Sequence, residues 1–537
     1  MTGAPAPGPE LVGRAASPGL AAGPVVVVDK VVAGTRAAGD PDAEAANLAA
    51  ALETASAQIA SLMETVEPDA AEMLEFQLAM LEDEELTAPA RAGIAGGASA
   101  AAAFAGALDA AIADYRASDD EYFRARSADL ADIRERVLRT LSGEEGVAPA
   151  TGAVLVGKDL TPTRFLETDW SAGGGIALAE GSPSSHVAML ARARGVPMVT
   201  GLGAFDTSDL QDALVDGDSG RVCFNPDEAA RGQHAERAEA LAREAEVAKS
   251  YLGRPAQTAC GVSISVMINV AAPEEVDTLD PAHCDGIGLM RTEFLFHGPD
   301  GLPDEDSQYR AYRKVLEWAG GRSVTIRTLD AGGDKPVPGL TIEERNPFLG
   351  CRGIRLSLRR PDVFRVQLRA LARAGCHGTL QVMLPMVSVP EEIAEAARLL
   401  DGCVAELRSE GHEAVRPPLG IMVEVPAVAV TPERFTAAAF FSIGSNDLTQ
   451  YVLAAGRDSP DVATLGRADD PAVLALVAST LRGGAAGLPV SLCGDAGSDL
   501  AVLPKLLACG LRRVSVAPAA LARVKAAIAG MRLGDDG

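Results

Sequence analysis

The hydrophobic pattern changes character four times along the chain. Residues 11–28, LVGRAASPGLAAGPVVVV, form short apolar runs broken by Gly and Pro, which predicts a small β segment. From about residue 40 to 141 the text is Ala-rich, charged and periodic, as in AANLAAALETASAQIASLMETV and DEYFRARSADLADIRERVLRTL. Few prolines and few β-branched runs interrupt it, so helices are expected. Short apolar runs return over 153–224 (AVLVG, GGIALA, VPMVTG, RVCF), and they need partners that the first β segment can supply. The helical stretch then reads as an insertion into an α/β domain. Residues 227–251 are charged, with Ala and Leu at helical spacing, and suggest a linker helix.

From residue 261 onward the pattern is regular. Eight candidate strands, 263–270, 286–292, 323–330, 379–386, 419–426, 438–445, 488–495 and 512–518, alternate with helical text. That number over roughly 250 to 280 residues predicts a (β/α)8 barrel, whose active site lies where the strands end. The fold class is therefore multidomain α/β: an α/β domain carrying a helical insertion, then a C-terminal TIM barrel. A chain of 537 residues accommodates this, at roughly 150 residues per domain.

Polar residues gather at those strand ends. Arg291 and Glu293 follow the second strand, and Arg327, Asp330 and Lys335 the third. Glu424 ends the fifth, Asn446 and Asp447 the sixth, and Cys493 and Asp495 the seventh. Arg352 lies in the loop after the third strand, and Arg457 after the sixth. A single strand-end arginine is more often a surface charge or a salt-bridge partner; the joint pattern is what signifies. Here composition sharpens the picture, because 48 basic against 74 acidic residues leave a net charge of −26. Such a chain repels nucleic acid and anionic membranes, so arginines concentrated at one mouth imply a small, multiply anionic ligand. Glu424 and Asp447 are hard oxygen donors that suit Mg2+ bridging a substrate phosphate; the plainer reading is that they neutralise the arginines. Cys493 is placed to move a proton, although a lone thiol at a barrel position is usually a small buried hydrophobe.

His186, in GSPSSHVAMLARARGVPMV, follows a Pro-Ser-Ser turn and falls in the first turn of an expected helix. The helix dipole there favours a neutral ring and a phosphate carried on it. A histidine near serines is common, and alone it proves little. The eight cysteines are scattered singly and the six histidines are dispersed, which argues against a zinc site or a disulfide framework. No secretory leader or membrane span is legible, and a cytosolic protein with free thiols is expected.

Taken in order, SPSSHVAMLAR, GIGLMRTEFLF, RTLDAGGDK, NPFLGCRGIR, VEVPA, FFSIGSNDLTQY and LCGDAG resemble enzyme I of the bacterial phosphoenolpyruvate:sugar phosphotransferase system, over essentially the whole chain. The resemblance implies a swivelling phosphohistidine domain (1–34 plus 148–226), an inserted helical domain that binds the phosphocarrier HPr (35–147), a linker helix (227–254) and a phosphoenolpyruvate-binding barrel (255–537). It implies His186 as the phosphorylated histidine and Arg291, Arg327, Arg352 and Arg457 as phosphoenolpyruvate ligands. Glu424 and Asp447 would hold Mg2+, Asn446 and Lys335 would orient and support the phosphate, and Cys493 would protonate enolpyruvate to pyruvate. Homodimerisation through the barrel is likewise implied by the resemblance alone. The sequence departs from the family pattern in the Ser182-Pro183 turn, in Cys351, in Gly456 and in Asp495, where a glutamate is usual. Other readings are a catalytically weak regulatory phosphocarrier, a relative of pyruvate phosphate dikinase or phosphoenolpyruvate synthase, and a metal-dependent aldolase. The acidic residues at 82–85 and 129–132 of the helical part are either a solvated face or a docking surface for a basic partner.

Overall fold

The computed structural model describes residues 9–28, 38–63, 68–117, 121–143, 151–183, 185–296, 301–333, 337, 339–342, 344–456, 462–484 and 487–533. It divides into two compact units, residues 1–240 and 241–537.

In the first unit, β1 (Glu10–Val12), β2 (Arg14–Ser17) and β3 (Leu20–Val27) precede five helices, α1 (Pro41–Met63), α2 (Pro68–Glu82), α3 (Glu84–Ala95), α4 (Ala100–Ala117) and α5 (Glu121–Ser142). Then follow β4 (Val154–Gly157), α6 (Pro162–Glu167), β5 (Gly175–Leu178), α7 (His186–Arg194), β6 (Met198–Thr200), β7 (Asp212–Asp216) and β8 (Arg221–Phe224); the long α8 (Glu228–Lys249) begins in this unit and ends in the residues of the second. The strands form one sheet in the order β1-β8-β7-β3-β4-β5-β6-β2. β3 and β4 are parallel neighbours, Val25 opposite Val154, so the five helices occupy the connection between two adjacent strands. The apolar spacing of the helices explains their packing: Leu48, Ala55 and Ile59 of α1, Phe104 and Leu108 of α4, and Leu130, Ile133 and Val137 of α5 fill one core. That core continues into Leu155, Phe165 and Ile176 of the α/β part.

The two acidic stretches of the helical part separate in the structure. Glu82, Asp83, Glu84 and Glu85 are exposed, and Asp83 caps α3 by accepting the Glu85 N–H at 2.8 Å. Asp129 and Asp132 are buried, which corrects the reading of 129–132 as a solvated or docking face. Asp132 accepts from Gln77 Nε2 at 3.0 Å, from the Thr163 N–H at 3.1 Å and from the Thr163 hydroxyl. Buried carboxylates need such donors, and these tie α5 to α2 and to α6.

In the second unit, β9 (Ser265–Val270), β10 (Gly286–Met290), β11 (Ser323–Arg327), β12 (Thr379–Leu384), β13 (Leu419–Val423), β14 (Phe441–Ile443), β15 (Val490–Leu492) and β16 (Arg513–Val516) close into a barrel of parallel strands. β16 returns to β9 with Arg513 opposite Ser265. The helices are α9 (Glu305–Ala319), α10 (Ile354–Arg359), α11 (Pro361–Ala374), α12 (Pro390–Ser409), α13 (Pro426–Val430), α14 (Ser445–Leu453), α15 (Pro471–Gly484), α16 (Leu503–Ala508) and α17 (Leu521–Gly530). All eight expected strands are present, but each is shorter than its apolar run. The stretch 438–445 contributes only β14, because Ser445 already begins α14. Apolar character marks burial, and burial continues past the last ladder bond.

Candidate active site

The strand ends of the barrel hold a chain of buried ion pairs. Arg327, the last residue of β11, donates from Nη2 to Glu293 Oε1 at 2.9 Å, and its Nη1 lies 3.2 Å from Asp330 Oδ2. Asp330 in turn accepts from Arg352 Nη2 at 2.9 Å, and Arg352 Nη1 reaches Asp447 Oδ1 at 3.3 Å. Arg327 and Arg352 are 4% and 1% exposed, so these charges act with little water between them. Burial alone would lower both guanidinium pKa values. Glu293 and Asp330 around Arg327, and Asp330 and Asp447 around Arg352, more than offset it and hold both arginines firmly cationic.

Local structure explains how Arg352 enters so deeply. Gly353 follows it at φ 58°, a left-handed conformation, and a Cβ there would meet Met386 Cβ at 2.8 Å and Asp330 Oδ1 at 3.2 Å. Glycine therefore lets the 346–352 loop fold its arginine under the mouth. Tyr451 of α14 fastens the same loop by donating its hydroxyl to the Phe348 carbonyl.

Glu424, just past β13, is fully buried. Its Oε1 accepts the Met386 N–H at 2.6 Å, and its Oε2 has no hydrogen-bond partner. Met386 adopts φ 58°, unusual for a residue with a side chain, in the segment that presents this N–H. Burial first, then the nearby charges of Asp330 and Asp447, push the Glu424 carboxyl up to about 8, against the opposing pull of Arg327 and the Met386 N–H. A partnerless carboxylate oxygen beside a second carboxylate, Asp447, fits a hard divalent cation. The described residues contain no group of three or more His, Cys, Asp or Glu side chains placed to hold a metal ion; an ion on Glu424 and Asp447 would complete its shell with water and substrate oxygens.

Cys493 follows β15 and is 3% exposed, packed with Leu289, Met383, Met422 and Phe440. It lies inside the barrel rather than open at the mouth. Burial pushes its thiol up to about 11, while Ser442, Arg327 and Arg291 pull the other way, so it is protonated at neutral pH. Arg291 is half-buried after β10. Asn446 is the second residue of α14 and bonds Asp495. Lys335 and Arg457 lie outside the described residues.

The structure thus brings together Arg291, Arg327, Arg352, Glu424, Asp447 and Cys493. It adds Glu293 and Asp330, whose support of the arginines the sequence reading did not assign. Their signal was present: both are acidic residues at strand ends beside an arginine. Glu293 Oε1 also takes the Asp330 N–H at 3.0 Å.

His186 belongs to the first unit and is the first residue of α7. Ser185 caps the helix, its Oγ accepting the Ala188 N–H at 3.2 Å, and the preceding turn closes through Ser185 N–H to Ser182 O at 3.0 Å. Arg192 Nη1 holds that turn from the same helix by donating to Pro183 O at 2.8 Å and to Ala16 O at 2.6 Å. Val187, Ala188 and Ala191 bury the inner face of α7, leaving His186 exposed at the positive end of the helix dipole. Burial raises the carboxyl pKa of Asp129, with Arg126 working against it.

Comparison with known proteins accounts for most of the chain. The PEP-binding domain of PEP-utilising enzymes matches residues 245–533, the N-terminal domain of these enzymes residues 12–126, and their mobile domain residues 149–220. The chain is 35% identical over 501 residues to a phosphoenolpyruvate-protein phosphotransferase of Staphylococcus carnosus (strain TM300), covering 90% of this chain and 87% of the relative. It is 36% identical to one of Bacillus sp. (strain S), covering 96% and 92%. To a multiphosphoryl transfer protein of Rhodobacter capsulatus it is 37% identical, covering 97% of this chain and 64% of the relative.

Proposed function

The chain belongs to the phosphoenolpyruvate-utilising enzymes, and from that premise we propose that it is a phosphoenolpyruvate-dependent protein phosphotransferase that phosphorylates itself on His186 and passes the group to a histidine of HPr. The observation that carries this reading is the chain of buried ion pairs from Glu293 to Asp447 at the strand ends, with a partnerless carboxylate oxygen beside it and the Cys493 thiol buried in the barrel within reach of the same charges.

Arg327 and Arg352, with Arg291 and Arg457, clamp the phosphate and carboxylate of phosphoenolpyruvate, and Asn446 and Lys335 orient and support the phosphate. Glu424 and Asp447 would hold a divalent cation, Mg2+ in this proposal, which would supply charge neutralisation for the transferred phosphoryl group. The neutral imidazole of His186 attacks phosphorus in line. The bond from phosphorus to the enolate oxygen breaks as the bond to nitrogen forms. Cys493, held protonated by burial, gives its proton to the methylene carbon of the enolate; pyruvate leaves, and water restores the thiol. The N-terminus of α7 stabilises the phosphate carried on His186.

The segments take the roles of a swivelling phosphohistidine domain (1–34 plus 148–226), an HPr-binding helical domain (35–147), a linker helix (227–254) and the phosphoenolpyruvate barrel (255–537). The exposed acidic residues 82–85 support docking of a basic carrier surface, although no individual contact is assigned. The proposal includes a homodimer formed through the barrel. No helix among the described residues is long and apolar enough to cross a membrane, and action in the cytoplasm is part of the proposal.

The test is incubation with 32P-labelled phosphoenolpyruvate and Mg2+ beside a His186→Ala control. Acid-labile, base-stable label on the native chain alone, with release of pyruvate, is the expected result. Binding of phosphoenolpyruvate without label would favour a regulatory role instead.

A further inference from the structure

Asn446 and Asp495 grip each other across two neighbouring strand ends. Asn446 Nδ2 donates to Asp495 Oδ2 at 2.8 Å, and the Asp495 backbone N–H donates to Asn446 Oδ1 at 2.9 Å. A backbone N–H only donates and a carboxylate only accepts, so the pair admits one orientation of the carboxamide. Turning it over would face donor to donor and acceptor to acceptor.

The segments that carry the pair are pressed together. A Cβ on Gly494 would lie 2.0 Å from Ser445 Oγ and 2.6 Å from Ser445 N, an approach only glycine permits. Asn446 therefore meets Asp495 at a fixed spacing, one residue from Asp447 and its bond to Arg352. Asn446 Oδ1 also faces the Ser445 hydroxyl at 3.5 Å, so the capacity left beyond these contacts is the second hydrogen of Nδ2.

Asp495 is an exposed carboxylate beside a site assembled for an anion, where its charge opposes ligand binding. Its geometry gives it a different task. Resting on the functional reading above, we propose that Asp495 is a positioning residue that fixes the Asn446 amide so that an N–H donor, not a carbonyl oxygen, is offered to the phosphate of phosphoenolpyruvate. Asn446 touches the substrate, and Asp495 acts through it. The aspartate that stands where the family usually carries a glutamate is long enough for this, because the backbone N–H of the same residue supplies the second contact.

The test is a double-mutant cycle on the full chain with Asp495→Ala, Asn446→Ala and the double variant. It is read both as the KM and kcat of phosphoenolpyruvate-dependent labelling and as the Kd for phosphoenolpyruvate with Mg2+ by calorimetry. A hydrogen bond of ordinary worth predicts that Asp495→Ala raises KM and Kd about 3- to 10-fold, with kcat within about twofold and an unchanged melting temperature. In the Asn446→Ala background the same change causes no further rise in KM or Kd. An equal loss in both backgrounds, no change in KM and Kd, or tighter binding through relief of charge repulsion would each overturn the proposal. Failure of the native chain to take label counts against the functional reading alone, since the calorimetric cycle still decides the pair.

Discussion

Glu293 Oε1 receives two donors at once, Arg327 Nη2 at 2.9 Å and the Asp330 N–H at 3.0 Å. One oxygen thereby sets the pose of the guanidinium proposed to clamp the substrate and the path of the loop that leads to Arg352. Glu293→Ala takes that single acceptor from both donors and leaves Arg327 only Asp330 as a carboxylate ion-pair partner. A destabilisation of roughly 3 kcal/mol is expected, together with a raised KM for phosphoenolpyruvate. Glu293→Gln keeps the oxygen and costs less in both. Thermal unfolding and steady-state kinetics check this, and an unchanged KM in Glu293→Ala would refute the positioning of Arg327.

The Glu424 carboxyl pKa is raised from 4.5 to about 8, so the folded chain holds a proton there that the unfolded chain loses. Its contribution to stability is complete below about pH 4.5 and is lost as pH rises through about 8. Cation binding must displace that proton, so affinity for Mn2+ or Mg2+ without phosphoenolpyruvate should rise with pH up to about 8, by at most about tenfold per unit, and then level off. Glu424→Gln should abolish the pH dependence with the binding, and should melt above the native chain at about pH 8. Calorimetric titration at several pH values measures this; a flat pH profile in the native chain would exclude Glu424 as the titrating ligand.

A thiol at about 11 is a proton donor and a poor nucleophile at neutral pH. Iodoacetamide should therefore modify Cys493 slowly near pH 7 and faster toward about pH 11, with phosphoenolpyruvate protecting it. Cys493→Ala should slow pyruvate formation by about 10²- to 10⁴-fold, the usual range for loss of a proton donor, while phosphoenolpyruvate still binds. Mass spectrometry of the labelled peptide and a pyruvate assay separate the two effects.

Ser185 caps the helix on which His186 stands. Ser185→Ala should cost about 1 kcal/mol of helix stability, fray the first turn of α7 and slow labelling of His186, and Ser185→Asp should restore the cap. Amide exchange of α7 and the labelling rate should move together. Slowed labelling with an intact first turn would mean that Ser185 acts otherwise than as a cap.

Much of this was readable from local pattern. His186 at a helix start follows from the hydroxyl residue before it and the Ala-rich text after it. The strand-end placement of Arg327, Glu424 and Cys493 follows from apolar runs that stop at a charge or a thiol. The acidic residues at 129–132 show where such reading fails. By composition they match the exposed 82–85 stretch, yet Asp132 is enclosed because Gln77 and Thr163 arrive from distant segments to satisfy it. Charge alone says that water or a donor must be near, and not which.

By itself the sequence determined the alternation of strands and helices, the eight-strand count of the barrel, the helical segment between two β regions, and the residue types available at the strand ends. These depend on periodicity and on neighbours a few positions apart. Tertiary structure decided that β3 and β4 are adjacent, that Arg327 and Arg352 share Asp330, that Glu424 keeps a partnerless oxygen, and that Cys493 sits inside the barrel rather than at its rim. Each of these depends on which distant groups displace water from a charge or a thiol, and desolvation is a property of the folded surroundings that no local window contains.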